Sequence, residues 1–347
     1  MVTGNLGYIG SVLVPVLNKM LYKVVGYDTG YYGKECLLYN ESCDDSNFLE
    51  KQIKKDIRDV SIEDLKGVDG IIHLAALSND PLGELEPEIT EEINLDATLK
   101  LARLTREAGV KRFIYASSQS MYGISNLSSE LDEDDSDKHP ITAYAKTKWT
   151  AECELKKLND EKFIVSCFRP STVFGLSPKL RTDIVFNNLV SSAFTTGYIE
   201  IKSDGTPWRP VVHVQDVSKA FIAGLIAPPE LVSGKSFNVG IPNGNFTVRE
   251  LAEAAQEVVA DSKLCFTGEH GNDSRTYKVS FERILTSLQN YFKPEWGLIQ
   301  GGKELVDSFE KVHFSEEDFR SHRFNRLSRL KKLMNDGKLD KKLRWIE

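Results

Sequence analysis

Two residues of the segment "AYAKTK", Tyr144 and Lys148, have the types and spacing of an acid–base pair. Four residues make about one helical turn, so in a helix both side chains lie on the same face. A free phenol has a pKa near ~10, which is too high for a base at neutral pH. A neighbouring ammonium group favours the phenolate and lowers that pKa. A tyrosine placed in this way can take the proton from an alcohol while hydride leaves the same carbon atom.

The segment "GYIEIK" repeats this spacing, with Tyr198 four residues before Lys202. Its apolar residues alternate, which is typical of a strand, and in a strand these two residues share no helical face. We therefore expect no catalytic pair at Tyr198.

A serine cluster lies upstream of Tyr144, at the end of the strand-like segment "FIYASSQSMYG". A serine hydroxyl at that place can bind the reacting oxygen and position it against Tyr144. The alternative is that these serines only cap the end of the strand.

Three glycines at the start of the chain, Gly4, Gly7 and Gly10 in "TGNLGYIG", have the spacing of a phosphate-binding turn. Glycines between a strand and a helix let the backbone approach a pyrophosphate at the positive end of the helix. Asp28 ends the next strand-like run, where a carboxylate accepts hydrogen bonds from the adenosine ribose. The residues after it, "TGYYG", include no arginine for a 2′-phosphate, which favours NAD over NADP.

Only Met1, Val2 and Thr3 precede the glycine turn. In a doubly wound fold the first strand is central, and a two-residue strand leaves backbone groups of its neighbours unpaired. We therefore expect the natural chain to begin several residues upstream.

The elements that must position these residues alternate between strands and helices. Short apolar runs such as "GVDGIIHLAA", "KRFIYASS" and "KFIVSCFRP" alternate with helical stretches up to about residue 175. This pattern predicts an α/β fold, a doubly wound parallel (Rossmann) sheet with helices on both faces. We expect residues 1–175 to form the dinucleotide-binding domain, with 211–240 returning to it. Residues 176–210 and 241–347 are expected to form a smaller, interleaved substrate-binding domain.

Composition argues against several other classes of protein. The 347 residues carry a net charge of -7, which provides no basic surface for nucleic acid or an anionic membrane. No apolar run approaches the ~20 residues that a membrane span needs. The five cysteines and six histidines lack metal-ligand spacing, and the odd number of cysteines predicts free thiols. We expect a cytoplasmic protein without a metal site.

The order of the motifs resembles the extended short-chain dehydrogenase/reductase family, and within it the NAD-dependent nucleotide-sugar epimerase/dehydratase group. The segments that carry the resemblance are "TGNLGYIG", "GYD", "DIRD", "HLAA", "ASSQSMYG", "YAKTK", "FRPSTVFG" and "GTPWRPVVHVQDV". The resemblance implies that Ser118 is the catalytic serine beside Tyr144 and Lys148. The cofactor-binding residues that it implies are Gly4, Gly7, Tyr8, Ile9, Gly10, Asp28, Asp56, Ile57, Leu74, Ala75, Ala76, Tyr144 and Lys148.

A nucleotide sugar is the substrate that this resemblance implies, and the planar fork of arginine suits its two phosphates. Arg209 lies where the family has a pyrophosphate-binding arginine, and Thr172 replaces an asparagine that is common among relatives. Each arginine could instead form a surface or interdomain ion pair. The implied substrate-binding residues are Asn79, Ser118, Thr172, Arg181, Asn188, Arg209 and Arg275.

The residues after Ser118 separate the reactions of the group. Sugar 4,6-dehydratases carry an Asp-Glu pair directly after the catalytic hydroxyl, whereas this chain has Gln119 and Ser120, so dehydration is disfavoured. Ser120 also differs from the cysteine of some epimerases that act through an enolate. The reaction we favour is epimerisation through a keto-sugar, with hydride removed to NAD and returned to the other face. The alternatives are a ketosugar reductase that uses NADPH or NADH, and a non-catalytic dinucleotide sensor.

Members of the family commonly dimerise by packing two long helices of each subunit into a four-helix bundle, so the resemblance implies a homodimer. The candidate stretches are 87–108 and 142–158. Ile89, Ile93 and Leu104 are candidates for part of its apolar seam.

Overall fold

Strands and helices alternate through the first half of the chain, as the sequence predicts. The computed structural model describes residues 1–39, 48–78, 86–125, 127, 129–267 and 276–346. The strands are β1 (Val2–Thr3), β2 (Val25–Asp28), β3 (Lys51–Lys54), β4 (Gly70–His73), β5 (Arg112–Ala116), β6 (Ile164–Pro170), β7 (Thr172–Phe174), β8 (Tyr198–Ile201), β9 (Trp208–His213), β10 (Ser236–Val239), β11 (Asn245–Thr247) and β12 (Lys263–Phe266). The α-helices are α1 (Gly10–Lys19), α2 (Pro87–Glu91), α3 (Ala97–Glu107), α4 (Ala143–Lys157), α5 (Val185–Thr196), α6 (Val214–Ile226), α7 (Pro229–Val232), α8 (Val248–Val258), α9 (Glu282–Ser287), α10 (Leu298–Val312), α11 (Glu316–Arg320) and α12 (Arg326–Asn335).

Seven of these strands form one parallel sheet in the order β10-β6-β5-β4-β1-β2-β3. The central strands are apolar on both faces because helices cover both sides, and Ile71, Ile72, Phe113 and Ile114 are fully buried. The strand order reverses at the junction of β1 and β4, which opens a crevice at the carboxyl ends of the strands. The expected doubly wound Rossmann sheet is confirmed.

The short first strand pairs on both sides. Val2 lies opposite Gly26 of β2 and Ile72 of β4, and Thr3 continues both ladders. Beyond the strand, the backbone N–H of Gly4 donates to the carbonyl of Tyr27 at 2.8 Å. This pairing fixes the glycine turn between the carboxyl ends of β2 and β4. The upstream start expected from the sequence stays a prediction.

A second, smaller layer follows β6. Its three-stranded sheet has the order β11-β9-β7, and a separate parallel pair joins β8 to β12. Helices α5, α8 and α10 pack on these strands around buried Phe174, Phe186, Leu251 and Leu305. This layer contains residues from 176–210 and 241–347, the segments from which the sequence predicts a substrate-binding domain.

The two halves of the molecule are more interleaved along the chain than the sequence predicts. Strand β10 returns to the large sheet beside β6, as expected for 211–240. Two later segments also pack there: 277–292 joins the core around Val2 and Ile72, and 330–343 joins the core around Tyr27 and Leu65. These segments therefore do not belong with the substrate-binding half to which the sequence analysis assigned them. An amphipathic pattern shows that a segment is buried without showing which core it joins.

Two of the residues expected in the apolar seam of a dimer are buried within the chain's own core. Ile89 and Ile93 are buried in the core beneath the large sheet, and Leu104 is half-buried beside them. Ile89 and Ile93 are thus not available to a partner subunit in this conformation. No helix among the described residues is both long enough and apolar enough to cross a membrane.

Candidate active site

A cavity of about 680 Å³ opens at the carboxyl ends of the parallel strands. Its walls include the glycine turn, the end of β2, the serine cluster after β5 and the first turns of α4. Clefts at this position of a doubly wound sheet bind ligands, because successive loops diverge there. The cavity brings together most of the residues selected from the sequence.

Two glycines of the turn, Gly4 and Gly10, have no room for a Cβ atom. Gly4 has a φ of +72°, and a Cβ atom on it would lie 2.8 Å from the backbone nitrogen of Ala75. A Cβ on Gly10, the first residue of α1, would overlap the carbonyl oxygen of Gly4. The turn thus leaves open backbone at the positive end of a helix, which is a site that fits a pyrophosphate. Tyr8, Ile9, Leu74, Ala75 and Ala76 also line the cavity.

Asp28 ends β2 at the edge of the same cavity. Its Oδ1 accepts a hydrogen bond from the N–H of Gly30 at 2.7 Å, and Oδ2 accepts from the N–H of Leu6 at 3.1 Å. Burial raises the pKa of this carboxyl, although the two backbone donors oppose the effect. Each carboxylate oxygen retains capacity for a further hydrogen bond, as a ribose hydroxyl would supply.

Asp56 and Ile57 line the cavity near Asp28. Burial tends to raise the pKa of Asp56, but hydrogen bonds from Arg58 outweigh it and lower that pKa. The two Arg58–Asp56 side-chain bonds measure 3.0 and 2.7 Å. Asp56 is thus fixed as the cap of the short turn Ile57–Asp59 and shapes the wall of the cavity.

Tyr144 and Lys148 lie one turn apart near the start of α4, and both line the cavity. Thr142 begins this helix, since its Oγ1 accepts the N–H of Ala145 at 3.1 Å. Lys148 is buried, and its Nζ donates to the carbonyl of Ala116 at 2.7 Å. Burial lowers the pKa of Lys148 to about 7. The lysine can therefore gain or lose a proton at neutral pH.

The structure distinguishes Ser118 from Ser117. The Oγ of Ser117 donates to Oε2 of Glu152 at 2.5 Å, behind the strand end. The Oγ of Ser118 lies 2.9 Å from that of Ser120 and caps the turn Gln119–Tyr122. Ser118 therefore lines the cavity while its hydroxyl caps the adjoining turn.

The residues selected for the substrate's diphosphate occupy different surroundings. Arg209 and Thr172 line the cavity, and Nη1 of Arg209 donates to the carbonyl of Trp208. Arg181 lines it too, but its guanidinium pairs with both carboxylate oxygens of Asp183 at 2.9 and 3.0 Å. An ion pair of this kind is the alternative role that the sequence leaves open for Arg181.

Asn188 does not line the cavity. It is exposed on α5, and its Nδ2 donates to the carbonyl of Thr182 at 2.9 Å. Its neighbour Asn187 faces inward instead, and Nδ2 of Asn187 donates to the Tyr8 hydroxyl at 3.2 Å. A one-residue error in the helix register turns a side chain by about 100°, which explains the difference. Asn79 and Arg275 lie outside the described residues.

Three residues around the site, Glu152, Arg169 and Arg326, were not identified from the sequence. Glu152 and Arg169 form a buried ion pair at 2.5 Å behind the serine cluster. The spacing of Glu152, eight residues after Tyr144 on the same helical face, was a usable signal. Arg326 also lines the cavity from the C-terminal region, and no local pattern marked it.

Tyr198 and His213 do not line the cavity. Tyr198 is exposed on strand β8. His213 is buried, with Nε2 3.0 Å from Oε2 of Glu304 and its ring stacked on Trp296.

Comparisons with known proteins agree with this geometry. Residues 1–240 match the model of the NAD dependent epimerase/dehydratase family. The dTDP-D-glucose 4,6-dehydratase of Mus musculus is 27% identical over 326 residues, which span 90% of this chain and 88% of that protein. The UDP-glucose 4-epimerase of Mycolicibacterium smegmatis is 29% identical over 318 residues, which span 89% and 97% of the two chains. The solved structure of MoeE5 in complex with UDP-glucuronic acid and NAD is 25% identical, spans 89% of this chain and 98% of that chain, and superposes with a TM-score of 0.74.

The family model extends over the large sheet, the glycine turn, Asp28 and the serine, tyrosine and lysine that face the cavity. The crowded glycines and the carboxylate at the end of β2 fit a dinucleotide without a 2′-phosphate. The chain therefore belongs to the NAD dependent epimerase/dehydratase family, with NAD as its cofactor.

Proposed function

We propose that the protein is an NAD-dependent epimerase of a nucleotide-diphosphate sugar and acts through a transient keto-sugar. NAD supplies reversible oxidation at one sugar carbon, with hydride removed from one face and returned to the other. The glycine turn, Asp28 and Tyr144 belong to the one cavity in which both ligands must meet. The residues Ser118, Tyr144 and Lys148 carry the proton chemistry.

Tyr144 is the acid–base group of this proposal. Its phenolic oxygen takes the proton of the sugar hydroxyl during oxidation and returns it during reduction. Ser118 donates to the same sugar oxygen and holds it in place. Lys148, whose pKa burial brings to about 7, supplies a positive charge that favours the phenolate and can exchange its proton at neutral pH.

One observation favours epimerisation over dehydration. Among the described residues that line the cavity, the carboxylates are Asp28, Asp56 and Asp183. Asp28 and Asp56 lie at the end of the cavity assigned to adenosine, and Asp183 pairs with Arg181. Removal of water needs an acid and a base at neighbouring sugar carbons, and epimerisation does not.

The positions after Ser118 support the same choice. Ser120 bonds to Ser118, and Nε2 of the buried Gln119 donates to the carbonyl of Arg169 at 3.0 Å. Neither side chain can act as a carboxylate. The dehydratase among the relatives is about as similar as the epimerase, so identity alone does not separate these reactions.

A one-way ketosugar reductase is the second candidate. The same Ser118, Tyr144 and Lys148 would serve it, but it consumes reduced cofactor in every cycle. Asp28 disfavours NADPH at this site because its carboxylate would repel a 2′-phosphate.

The decisive experiment incubates the purified protein with a panel of UDP- and dTDP-sugars and no added cofactor. Epimerisation gives an isomer of unchanged mass, which chromatography separates from the substrate. Loss of one water would indicate a dehydratase. A separate assay adds NADPH or NADH and a 4-ketosugar nucleotide, and consumption of the reduced cofactor without isomer formation in the first assay would indicate a reductase.

The nucleotide released on denaturation provides an independent check. Stoichiometric NAD identified by mass spectrometry supports a cofactor that is regenerated in each cycle. NADP in its place would favour the reductase.

We further propose a cytoplasmic homodimer that serves carbohydrate biosynthesis. The described cysteines Cys36, Cys153, Cys167 and Cys265 are unpaired, which is typical of a reducing compartment. The dimer rests on the resemblance to the family, and analytical ultracentrifugation tests it directly.

A further inference from the structure

Arg326, the first residue of α12, carries a buried guanidinium group with an unused donor. The residue is 2% exposed. Its Nη2 donates to the carbonyl of Lys179 at 2.7 Å, and its Cζ lies 4.1 Å from the ring centroid of Tyr32. Among the residues that the structure describes, its Nη1 has no hydrogen-bond partner. A buried cation with an unsatisfied donor is costly, so an anionic ligand is the natural partner for it.

The surrounding structure holds Arg326 in place. Asn325 caps α12 by accepting the N–H of Ser328 at 2.9 Å. The backbone N–H of Arg326 donates to Oδ2 of Asp183, and the side chain of Asp183 is occupied by Arg181. Leu330, one turn further along α12, is fully buried against the large sheet. The guanidinium is therefore a pre-positioned group on a fixed helix.

Arg326 lines the same cavity as the glycine turn and Asp28. Burial raises the pKa of Asp28, and the positive charge of Arg326 acts against that rise. The charge of Arg326 likewise opposes the effect of burial on the pKa of Tyr8, which follows Gly7. Arg326 thus shares one cavity with the carboxylate assigned to the ribose and the turn assigned to the pyrophosphate.

The chemistry of a dinucleotide makes its diphosphate the fitting anion. The diphosphate joins the ribose at Asp28 to the nucleoside beyond the glycine turn, so it must cross the space between these two groups. The residues after β2, Thr29 to Gly33, include no arginine for that purpose. A guanidinium fork can bind two phosphate oxygens at once.

We propose that Arg326 binds the diphosphate of the dinucleotide cofactor, so that the C-terminal segment supplies a cofactor-binding residue. The inference rests on NAD binding and not on the reaction that the enzyme catalyses. The diphosphate of the nucleotide sugar has the same chemistry, and the experiment separates the two sources.

The test measures dissociation constants by calorimetry for Arg326→Gln, after removal of any resident nucleotide. The probes are NAD, ADP, adenosine and UDP. We expect NAD and ADP to bind at least about 10-fold more weakly than to the wild type, as for a lost hydrogen bond to a charged group. Adenosine, which has no phosphate, and UDP are expected to bind within about twofold of the wild type.

Arg329→Gln is the matched control. Arg329 lies one turn later on α12, is buried and pairs with Glu35, but does not line the cavity. The control should leave all four dissociation constants within about twofold of the wild type.

Unchanged affinity of Arg326→Gln for NAD and ADP would overturn the proposal. An equal loss for adenosine would also overturn it, because the effect would then be structural. Loss for UDP alone would assign Arg326 to the nucleotide sugar instead. If the variant does not fold, hydrogen exchange on the wild-type protein decides: ADP must slow the amides of residues 326–335 more than adenosine does. These readouts involve no turnover, so they are independent of whether the enzyme is an epimerase.

Discussion

The Nζ atom of Lys148 donates a 2.7 Å hydrogen bond to the carbonyl oxygen of Ala116, the last residue of β5. Ser118 follows two residues later, so this bond joins the helix that carries Tyr144 to the strand end that carries the serine. The relative positions of the three residues are thus fixed by secondary structure on both sides. Such fixed placement lowers the cost of orienting a substrate between them.

Replacing Tyr144 by phenylalanine should remove the acid–base group and leave the fold intact. We expect the rate of isomer formation to fall about 10²- to 10⁴-fold. Retention of NAD, measured on the denatured protein, should fall far less than the rate, because the glycine turn and Asp28 are intact. The matched control is Tyr198→Phe, at the exposed tyrosine of β8 with the same spacing to a lysine. Equal loss of rate in both variants would contradict the assignment.

Replacing Lys148 by methionine should stabilise the cofactor-free protein near neutral pH. The pKa of Lys148 is about 7 in the folded protein against a reference value of 10.5. Between pH 7 and pH 10.5 the unfolded chain therefore binds more protons than the folded protein. The free energy of unfolding of the wild type therefore rises as pH increases from 7 towards 10. Below pH 7 the buried lysine is charged, and the free energy of unfolding is lowered by the full cost of burying that charge. The variant should be more stable by at most about 5 kcal/mol at low pH, with a difference that shrinks at high pH.

Chemical unfolding at pH 6.5 and pH 9.5 measures this effect. Lys146→Met, at an exposed lysine of the same helix, is the control and should show no such dependence. A stability difference for Lys148→Met that is the same at both pH values would refute the interpretation. The rate of isomer formation should fall for Lys148→Met at every pH.

Substitution of Gly4 by alanine should abolish NAD binding, because its Cβ would collide with the backbone of Ala75. Gly67→Ala provides the control, since Gly67 has nearly the same φ, +73° against +72°, and no atom of the described residues lies within 4 Å of the added Cβ. Gly67→Ala should cost only about 1–2 kcal/mol of stability and should retain NAD. Binding of NAD by Gly4→Ala at wild-type affinity would show that the turn does not form the cradle.

Replacement of Glu152 by glutamine should destabilise the protein by about 3–5 kcal/mol, since it leaves the buried Arg169 without its charge partner. The hydroxyls of Ser117 and Ser236 also lose their carboxylate acceptor. The double variant Glu152→Met with Arg169→Met should recover most of the stability, because it removes both charges. Denaturant unfolding of the wild type and both variants measures the effect, and a double variant no more stable than Glu152→Gln would argue against a charge-based cause.

The sequence alone determined the sheet, the glycine turn, Asp28 and the pair Tyr144–Lys148. These features depend on local spacing. Apolar residues that recur every 3.6 residues predict helices, and continuous apolar runs predict buried strands. A four-residue separation puts two side chains on one helical face. The strand expected at Tyr198 is also observed, because its apolar residues alternate.

Other features were decided only by tertiary structure. The guanidinium of Arg181 pairs with Asp183, and the hydroxyl of Ser117 donates to Glu152, whereas that of Ser118 lies against Ser120. Arg326 reaches the cofactor side of the cavity from near the end of the chain, far from every motif. Contacts between segments hundreds of residues apart depend on how amphipathic faces are distributed among competing cores, and no local periodicity records that choice.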